Sequence, residues 1–420
     1  QEERDGGGGG GGGVWEAGDG RSEKRGKEVV GEAARTIQKT LRRASQVRNN
    51  WNLWRLPMRI LIIGFGRVAA KACEILHEAK ADPSALLFDA NLARLARKLT
   101  LSGLSTYTRG SSVFSDDSPE SLEPSFLEST LNQHGSGSEE LVETLDYDVL
   151  VELSTLNALK EGRPARTYIE TALKRKKHVV TANKGPVAFA YKELLQLAKD
   201  NGVLFLCESA VMDGAPVFNL KRSCLLGARI LGLEGLLNST STFVIDKMVE
   251  DELSLEEAIA EAQALGITEA DPSFDLQGMD SACKIAALAN VFMTDSKGAC
   301  PSPNDIISSC PMIDISRTSL QSVLGKDVQS SSNGASVRMV SSAWRKADDQ
   351  IEASVGLQKF ETSSIFGSVG GTGAVLTIHT DLMAPISVVQ HAPTLSDTAF
   401  GVLADLMHID HKECMQQHKL

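Results

Sequence analysis

This 420-residue chain has no CxxC pair, and none of its apolar runs reaches the roughly 18 residues that a membrane-spanning helix needs. Its seven cysteines, Cys73, Cys207, Cys224, Cys283, Cys300, Cys310 and Cys414, are scattered and odd in number, which argues against a complete disulfide framework and for reduced thiols. Basic residues are outnumbered, 43 Lys and Arg against 54 Asp and Glu. The resulting net charge of -11 disfavours a nucleic-acid backbone or an anionic membrane as the principal partner. No internal repeat is visible. What the chain does have is 42% hydrophobic residues, enough to bury a core, so a soluble, cytoplasmic globular protein of two or three structural units is expected.

Residues 1–57 differ from everything after them. Eight consecutive glycines and a charged stretch cannot bury enough apolar surface to offset the entropy of ordering, so disorder is expected there. The basic stretch that follows, "AARTIQKTLRRASQVRNNW", fits a short amphipathic helix. A plastid location follows if it is a transit peptide, although the acidic residues before it break the acid-poor signature.

From residue 58 the pattern alternates. "RILIIGF" (59–65) suits a strand buried on both faces, followed by a helical pattern and a second short strand, "ALLFD" (85–89). Residues 110–137 read as a surface excursion. Strands at 148–154, 178–183 and 203–209 alternate with helices at 164–175 and 190–200, which predicts a doubly wound parallel sheet of the Rossmann type over residues 58–185. A mixed α/β catalytic and dimerisation domain is expected over 186–335. "GLEGLLNSTSTF" should run from strand into helix, and "SLEEAIAEAQALG" should be a helix stopped by Gly266. "VRMVSSAW" and "IEASVGLQ" suit an antiparallel hairpin, in a C-terminal segment (336–420) that returns to the nucleotide domain.

Gly64, Gly66 and Ala69 form a GxGxxA pattern between the first strand and its helix, which opens with Arg67 and Val68. The first glycine permits a tight turn, the second lets a pyrophosphate approach the backbone, and the small third residue lets the helix pack on the sheet, its N-terminus facing the phosphates. Asp89 closes the segment read as the second strand, near the spacing at which an acid accepts from the adenosine ribose. Arg94, Arg97 and Lys98 follow on a helix and could instead serve a 2'-phosphate. NADP and NAD therefore both stay open.

In such a sheet the C-terminal strand ends line the ligand crevice. Lys184, in "VVTANKGP", and Ser154 and Thr155, ending "DVLVELST", point there, with hydroxyls suited to a nicotinamide. "CESAVMDGAPV" beside Glu208 offers carbonyls that could wrap a hard cation. Further on, "EADPSFDLQGMDSACKIAALAN" gathers Glu269, Asp271, Asp275, Asp280 and Lys284. If a helix begins near Gly278, Asp280 and Lys284 share a face at i and i+4, beside a buried stripe of Ile285, Leu288 and Phe292. A partly buried amine beside a carboxylate suits general acid/base work on an alcohol or carbonyl oxygen. Glu269 suits the ammonium of a zwitterionic substrate.

Several ordered motifs, "IIGFGRVA", "VELSTLN", "HVVTANKGP", "ESAVMDGAPV", "LLNSTSTF" and "GITEADPSFDLQGMDSACKIAALAN", resemble those of the homoserine dehydrogenase family over about residues 58–407. The resemblance implies NAD(P)-dependent interconversion of L-homoserine and L-aspartate 4-semialdehyde, a step toward threonine and methionine, by a homodimer. It also implies Lys284 as general acid/base with Asp280 its partner, Lys184 at the cofactor and substrate junction, and Glu269 and Asp275 as substrate ligands. Ser154, Thr155, Gly266 and Gly371 match nucleotide-contacting positions, and Glu208, Val211, Asp213 and Ala215 match a sodium site. The Met212–Asp213 pair departs from the sequence that many members have in that loop.

Two rival readings share the cofactor fold. A semialdehyde dehydrogenase that oxidises the aldehyde needs a nucleophilic cysteine at a strand end, for which Cys207 is the near candidate. A catalytically inactive nucleotide-binding sensor would have no chemical need for Lys184, Glu269, Asp280 and Lys284 together.

Overall fold

A computed structural model describes residues 57–81, 90–114, 121–132, 135–268, 271–294, 300–310, 313–324 and 334–417, with side chains through residue 412. The expectations for the first 56 residues, for segment 85–89 with Asp89, and for Glu269 lie outside these residues.

The first strand, β1 (Met58–Ile63), is buried at every position but Arg59, as an interior strand of a parallel sheet should be. Arg59 is the polar exception because its backbone N–H and guanidinium both bond Asp148, at 2.8–3.2 Å, which ties the start of β1 to the chain entering β4. In chain order there follow α1 (Arg67–Ala81), α2 (Ala90–Lys98), β2 (Leu99–Thr106), β3 (Gly110–Val113), α3 (Pro124–Thr130), α4 (Ser138–Thr144), β4 (Val149–Glu152), α5 (Ala165–Lys174), β5 (His178–Thr181), α6 (Lys184–Asp200) and β6 (Phe205–Leu206). The six strands form one sheet of order β3-β2-β1-β4-β5-β6, parallel throughout except for the antiparallel edge strand β3. This is a doubly wound order with its switch point at β1 and β4.

Two details differ from the sequence reading. The strand beside β1 is Leu99–Thr106, ten residues and more beyond segment 85–89. It is rich in Ser, Thr and Gly rather than in β-branched apolar residues, yet it is buried at all but its second and last positions. A Cβ on Gly103 would stand 2.7 Å from Leu145 and 3.1 Å from Leu61, so small residues here admit close packing. The strand expected at 203–209 is confined to Phe205–Leu206, because Cys207 leaves the extended region and Glu208–Ala210 turn as a short 3-10 helix.

The second half continues with β7 (Ile230–Leu236), α7 (Ser239–Glu250), α8 (Leu255–Ala264), α9 (Met279–Phe292), α10 (Pro303–Ser309), α11 (Arg317–Leu324), β8 (Ala335–Arg345), β9 (Ile351–Glu361), β10 (Ala374–Thr380), β11 (Ile386–Gln390) and α12 (Leu395–Gln417). Its strands form an antiparallel sheet of order β11-β10-β7-β8-β9. β8 and β10 thus pair with β7, with β9 and β11 outside them, while α12 alone returns to the first sheet, packing Val402, Leu403 and Leu406 into the core that holds Ile60 and Leu76. Asp410, buried in α12, fastens it there through Lys98 at 2.5 Å and Arg94 at 3.1 Å. Two of the three cations considered for a 2'-phosphate are therefore spent on holding α12 against α2.

α9 lies at the centre of the larger core. Its sequence is apolar around nearly the whole circumference, so it is buried on all sides rather than along one stripe. It packs on α6, where Asn290 donates to the carbonyls of Val187 and Ala188 at 3.1 and 2.8 Å, just before α6 bends at Ala190.

Candidate active site

Asp280, in the first turn of α9, is 4% exposed and receives three donors. Lys284, one turn on, reaches its Oδ2 at 3.0 Å, and Lys184, the first residue of α6, reaches its Oδ1 at 2.5 Å. Asn238 Nδ2 donates to the same Oδ2 at 2.9 Å and to Asp275 Oδ1 at 2.7 Å. One carboxylate thus gathers both predicted lysines and, through Asn238, the predicted substrate ligand Asp275. Lys284 Nζ also donates to the Leu237 carbonyl at 2.6 Å, which fixes its direction.

Charge in this cluster is tightly coupled. Burial by itself would push the Asp280 carboxyl up, but Lys184 and then Lys284 reverse that and hold it well below the usual carboxylate range. Burial pulls Lys184 down, and the facing Asp280 more than offsets it, so its ammonium is held above the usual lysine value. A cation at a helix N-terminus meets an unfavourable dipole, which makes Asp280 the reason Lys184 can sit there charged. The Asp275 carboxyl is raised, first by burial and then by Asp280. Asp271, by contrast, accepts from the Ser273 amide at 3.0 Å and only caps a turn.

Asn238 was not singled out in the sequence. It is the N-cap of α7, accepting from the Ser241 amide at 2.7 Å, and "LNSTS" after a strand carries that capping signal. Its second role, bridging Asp275 and Asp280, depends on contacts 37 and 42 residues away.

The strand ends beside the cluster are set by another residue that sequence reading passed over, Glu152. Wholly buried, it accepts from the Ser154 amide at 2.9 Å, from the Ser154 hydroxyl, and from the Thr181 hydroxyl at 2.8 Å. Burial raises its carboxyl, and these donors oppose the shift. The Ser154 hydroxyl is thus engaged with Glu152 rather than free for a ligand, whereas Thr155 is exposed. Asn183 then donates to the Ser154 carbonyl at 3.1 Å and caps α6 through the Gly185 amide at 3.0 Å, carrying the order of the strand ends to Lys184.

The glycine loop fits a dinucleotide. Gly64, at φ +92°, would place a Cβ 2.5 Å from the Leu153 carbonyl carbon, so only glycine closes this turn. A Cβ on Gly66 would meet nothing within 4 Å, leaving space before the amides of Arg67 and Val68 that open α1. Ala69, buried, takes the small third position. On the far side, Gly64 N–H bonds the Ser105 carbonyl at 2.8 Å, which brings the end of β2 against the loop. From that end Arg109 donates to the Phe65 carbonyl, within the loop itself, and to Glu128 at 2.9 Å.

The loop at Glu208 is less suited to a cation than the resemblance implies. Glu208 accepts the amides of Phe218 and Asn219, both at 2.9 Å, with Arg222 at 3.8 Å. The Ala215 carbonyl accepts from Val217 N–H at 2.7 Å, and Asp213 accepts from the Thr398 hydroxyl at 2.9 Å, while Val211 is buried. No group of three His, Cys, Asp or Glu among the described residues could hold a metal ion. Burial raises Glu208 to about 6 and, beside it, Asp405 to about 7. Gly266 ends α8 at φ +69°, and the Gly371 amide is held by Asp246 at 3.1 Å. Neither hydrogen-bonds the lysine cluster among the described residues. Cys207 is buried, and burial pushes its thiol well above the ordinary value, the opposite of an activated nucleophile.

Known proteins match the chain over both sheets. Residues 64–208 match the family model "Homoserine dehydrogenase, NAD binding domain" and residues 216–407 match "Homoserine dehydrogenase". The homoserine dehydrogenase of Methanocaldococcus jannaschii is 35% identical over 270 residues, 64% of this chain and 75% of that one. The NAD(+)-dependent homoserine dehydrogenase of Pseudomonas canavaninivorans is 35% identical over 280 residues, 67% of this chain and 76% of that one. The solved structure of a hyperthermophilic archaeal homoserine dehydrogenase in complex with NADPH superposes with a TM-score of 0.65 at 26% identity, covering 85% of this chain and 98% of the other. No described helix is long and apolar enough to cross a membrane. With a lysine pair on one carboxylate, a dinucleotide turn and this agreement over both sheets, the chain belongs to the homoserine dehydrogenase family.

Proposed function

We propose that Lys184, Asp280 and Lys284 together run the proton transfer of a homoserine dehydrogenase that prefers NADP. The reaction interconverts L-homoserine and L-aspartate 4-semialdehyde with a nicotinamide cofactor. When bound, the cofactor exchanges a hydride with the carbon that bears the hydroxyl. The chain's residues handle the proton and the charge. Lys284, aimed by the Leu237 carbonyl, gives its ammonium proton to the substrate oxygen during reduction and, as the free amine, takes the hydroxyl proton during oxidation. Lys184, kept as an ammonium by Asp280, stabilises the negative charge that develops on the same oxygen. Asp275 and Glu269 are assigned to the substrate ammonium. The observation that carries this reading is the single buried carboxylate shared by both lysines.

The cofactor preference rests on the end of β2. No Asp or Glu occurs between Leu99 and Val113, so β2 and its end carry no acid of their own for a ribose 2'-hydroxyl, and Glu128, the acid nearby among the described residues, is paired with Arg109 at 2.9 Å. Arg109 stands there instead, within reach of Phe65, and suits a 2'-phosphate. Gly64, Gly66, Arg67 and Val68 are assigned to the pyrophosphate, with Gly266 and Gly371 outside the reading. A homodimer is supported by exposed apolar surface at Trp344, Leu382 and Met383, on and beside the second sheet. A sodium ion receives no role, since the oxygens of its expected loop are largely engaged.

Homoserine-dependent reduction of NADP+ and NAD+ by the purified chain tests the whole. Turnover with both and a higher kcat/KM for NADP+ is expected. No reduction of either would overturn the assignment, and a preference for NAD+ would overturn the role of Arg109.

A further inference from the structure

A groove of about 750 Å3 is walled by the C-terminal halves of α6 and α9, the helices whose first turns carry Lys184 and Asp280. Four cations line it, Lys199, Lys221, Arg222 and Lys412, and no carboxylate does. In a chain of net charge -11 such a concentration of one sign is not a by-product of composition. Lys199, Lys221 and Lys412 make no ion pair among the described residues. Arg222 Nη1 is buried without a hydrogen-bond partner, and Arg222 Nη2 approaches Glu208 only to 3.8 Å. A buried N–H left unsatisfied is costly, and like charges facing one groove repel, more strongly where its walls are apolar. Between the cations the walls are apolar, with Leu204, Phe218 and Val291 facing the space. Lys221 and Arg222 sit on a π-helical turn, Leu220–Cys224, an uncommon conformation that recurs at functional sites.

We propose that this groove binds a small organic anion with an apolar body, at a site separate from those for homoserine and nucleotide, and that its occupancy tunes the reaction. The volume falls within the range of small-molecule sites, and an acidic group set against Arg222 with an apolar portion against Phe218 and Val291 would satisfy both kinds of lining. The route to the reaction is short. Tyr191, in the wall, adjoins the bend of α6 at Ala190, and Asn290 joins α9 to the two carbonyls before that bend. A ligand bearing on Tyr191 and Val291 therefore acts on the joint between the helices that bring Lys184 to Asp280.

The probe is 1-anilinonaphthalene-8-sulfonate, a sulfonate on an apolar body, titrated by fluorescence into the full chain saturated with NADP+. One saturable site per chain is expected. In Lys221→Glu, and separately in the Lys199→Glu, Lys412→Glu double variant, the Kd should rise at least tenfold while kcat/KM without probe stays within twofold of the parent. The probe should shift the KM for homoserine at least twofold in the parent and leave it unchanged in the variants. Binding of equal strength in parent and variants would overturn the site. An unchanged KM and kcat at saturating probe would overturn its influence on the reaction.

Discussion

Lys284→Ala separates the chemical role of the side chain from its structural one. The ammonium has two partners, Asp280 Oδ2 at 3.0 Å and the Leu237 carbonyl at 2.6 Å. After its removal Asp280 keeps Lys184 at 2.5 Å and Asn238 at 2.9 Å, so the buried carboxylate is not orphaned, and the loss reduces to one carbonyl deprived of a donor. Such a loss costs about 1–2 kcal/mol of stability. A missing general acid/base costs about 10²–10⁴-fold in rate, or about 3–5 kcal/mol of barrier. The variant should therefore remain folded with intact nucleotide binding and have almost no turnover. Homoserine-dependent reduction of NADP+, quenching of protein fluorescence by NADP+, and a thermal melt measure the three quantities on one preparation. Lys284→Arg should not restore the rate, because a guanidinium stays protonated and cannot accept the hydroxyl proton. A kcat within tenfold of the parent would refute the reasoning, as would a loss of rate matched by an equal loss of cofactor affinity.

Asp280→Asn leaves two partly buried ammonium groups without their shared counter-charge and should cost about 3 kcal/mol in urea unfolding at pH 7. Because the Asp280 carboxyl is depressed in the folded protein, its contribution is present above its ordinary value near 4 and is lost as pH falls through the folded one; the two proteins should converge in strong acid, and a gap independent of pH would contradict the charge assignment. Arg109→Ala should lower kcat/KM for NADP+ about 10–100-fold, the worth of charge-assisted bonds, and leave NAD+ within twofold; if Asp89→Ser moves the ratio and Arg109→Ala does not, the acid upstream is the reader. Asp405, raised to about 7 by burial, binds its proton more tightly in the folded than in the unfolded chain, so its carboxyl costs stability increasingly as pH rises from about 4 through 7. Asp405→Asn should accordingly raise Tm at pH 8, by a gain of about 1–3 kcal/mol that shrinks toward pH 4; a gain that grows on acidification would mean the carboxylate is stabilised where it stands.

Local spacing was enough to read several parts of this protein from its sequence. The turn from β1 to α1 is legible because a strand, two glycines and a small residue must follow one another directly for that turn to close, and Gly64 is indeed forced by its contact with Leu153. Asp280 and Lys284 are legible because one helical turn separates them, and α8 because Ser254 and Glu257 form a capping box before Gly266 stops it. Partnerships between distant segments were not legible. Arg94 and Lys98 look like a phosphate-binding face until Asp410, more than 300 residues later, takes both. Ser154 looks free until its own strand's Glu152 accepts its hydroxyl, and Glu152 is held in turn by Thr181 on the next strand. The strand beside β1 carries too little apolar signal to be recognised, and its place is decided by pairing with β1 rather than by composition. Lys184 and Asp280, 96 residues apart, meet only because the start of α6 packs along α9, with Lys184 toward its first turn and Val187 and Ala188 against Asn290 in its last. Periodicity along the chain records which face of an element is buried. Which charge will lie against that face is decided when elements from distant parts of the chain share one core, where an unpaired charge is too costly to remain.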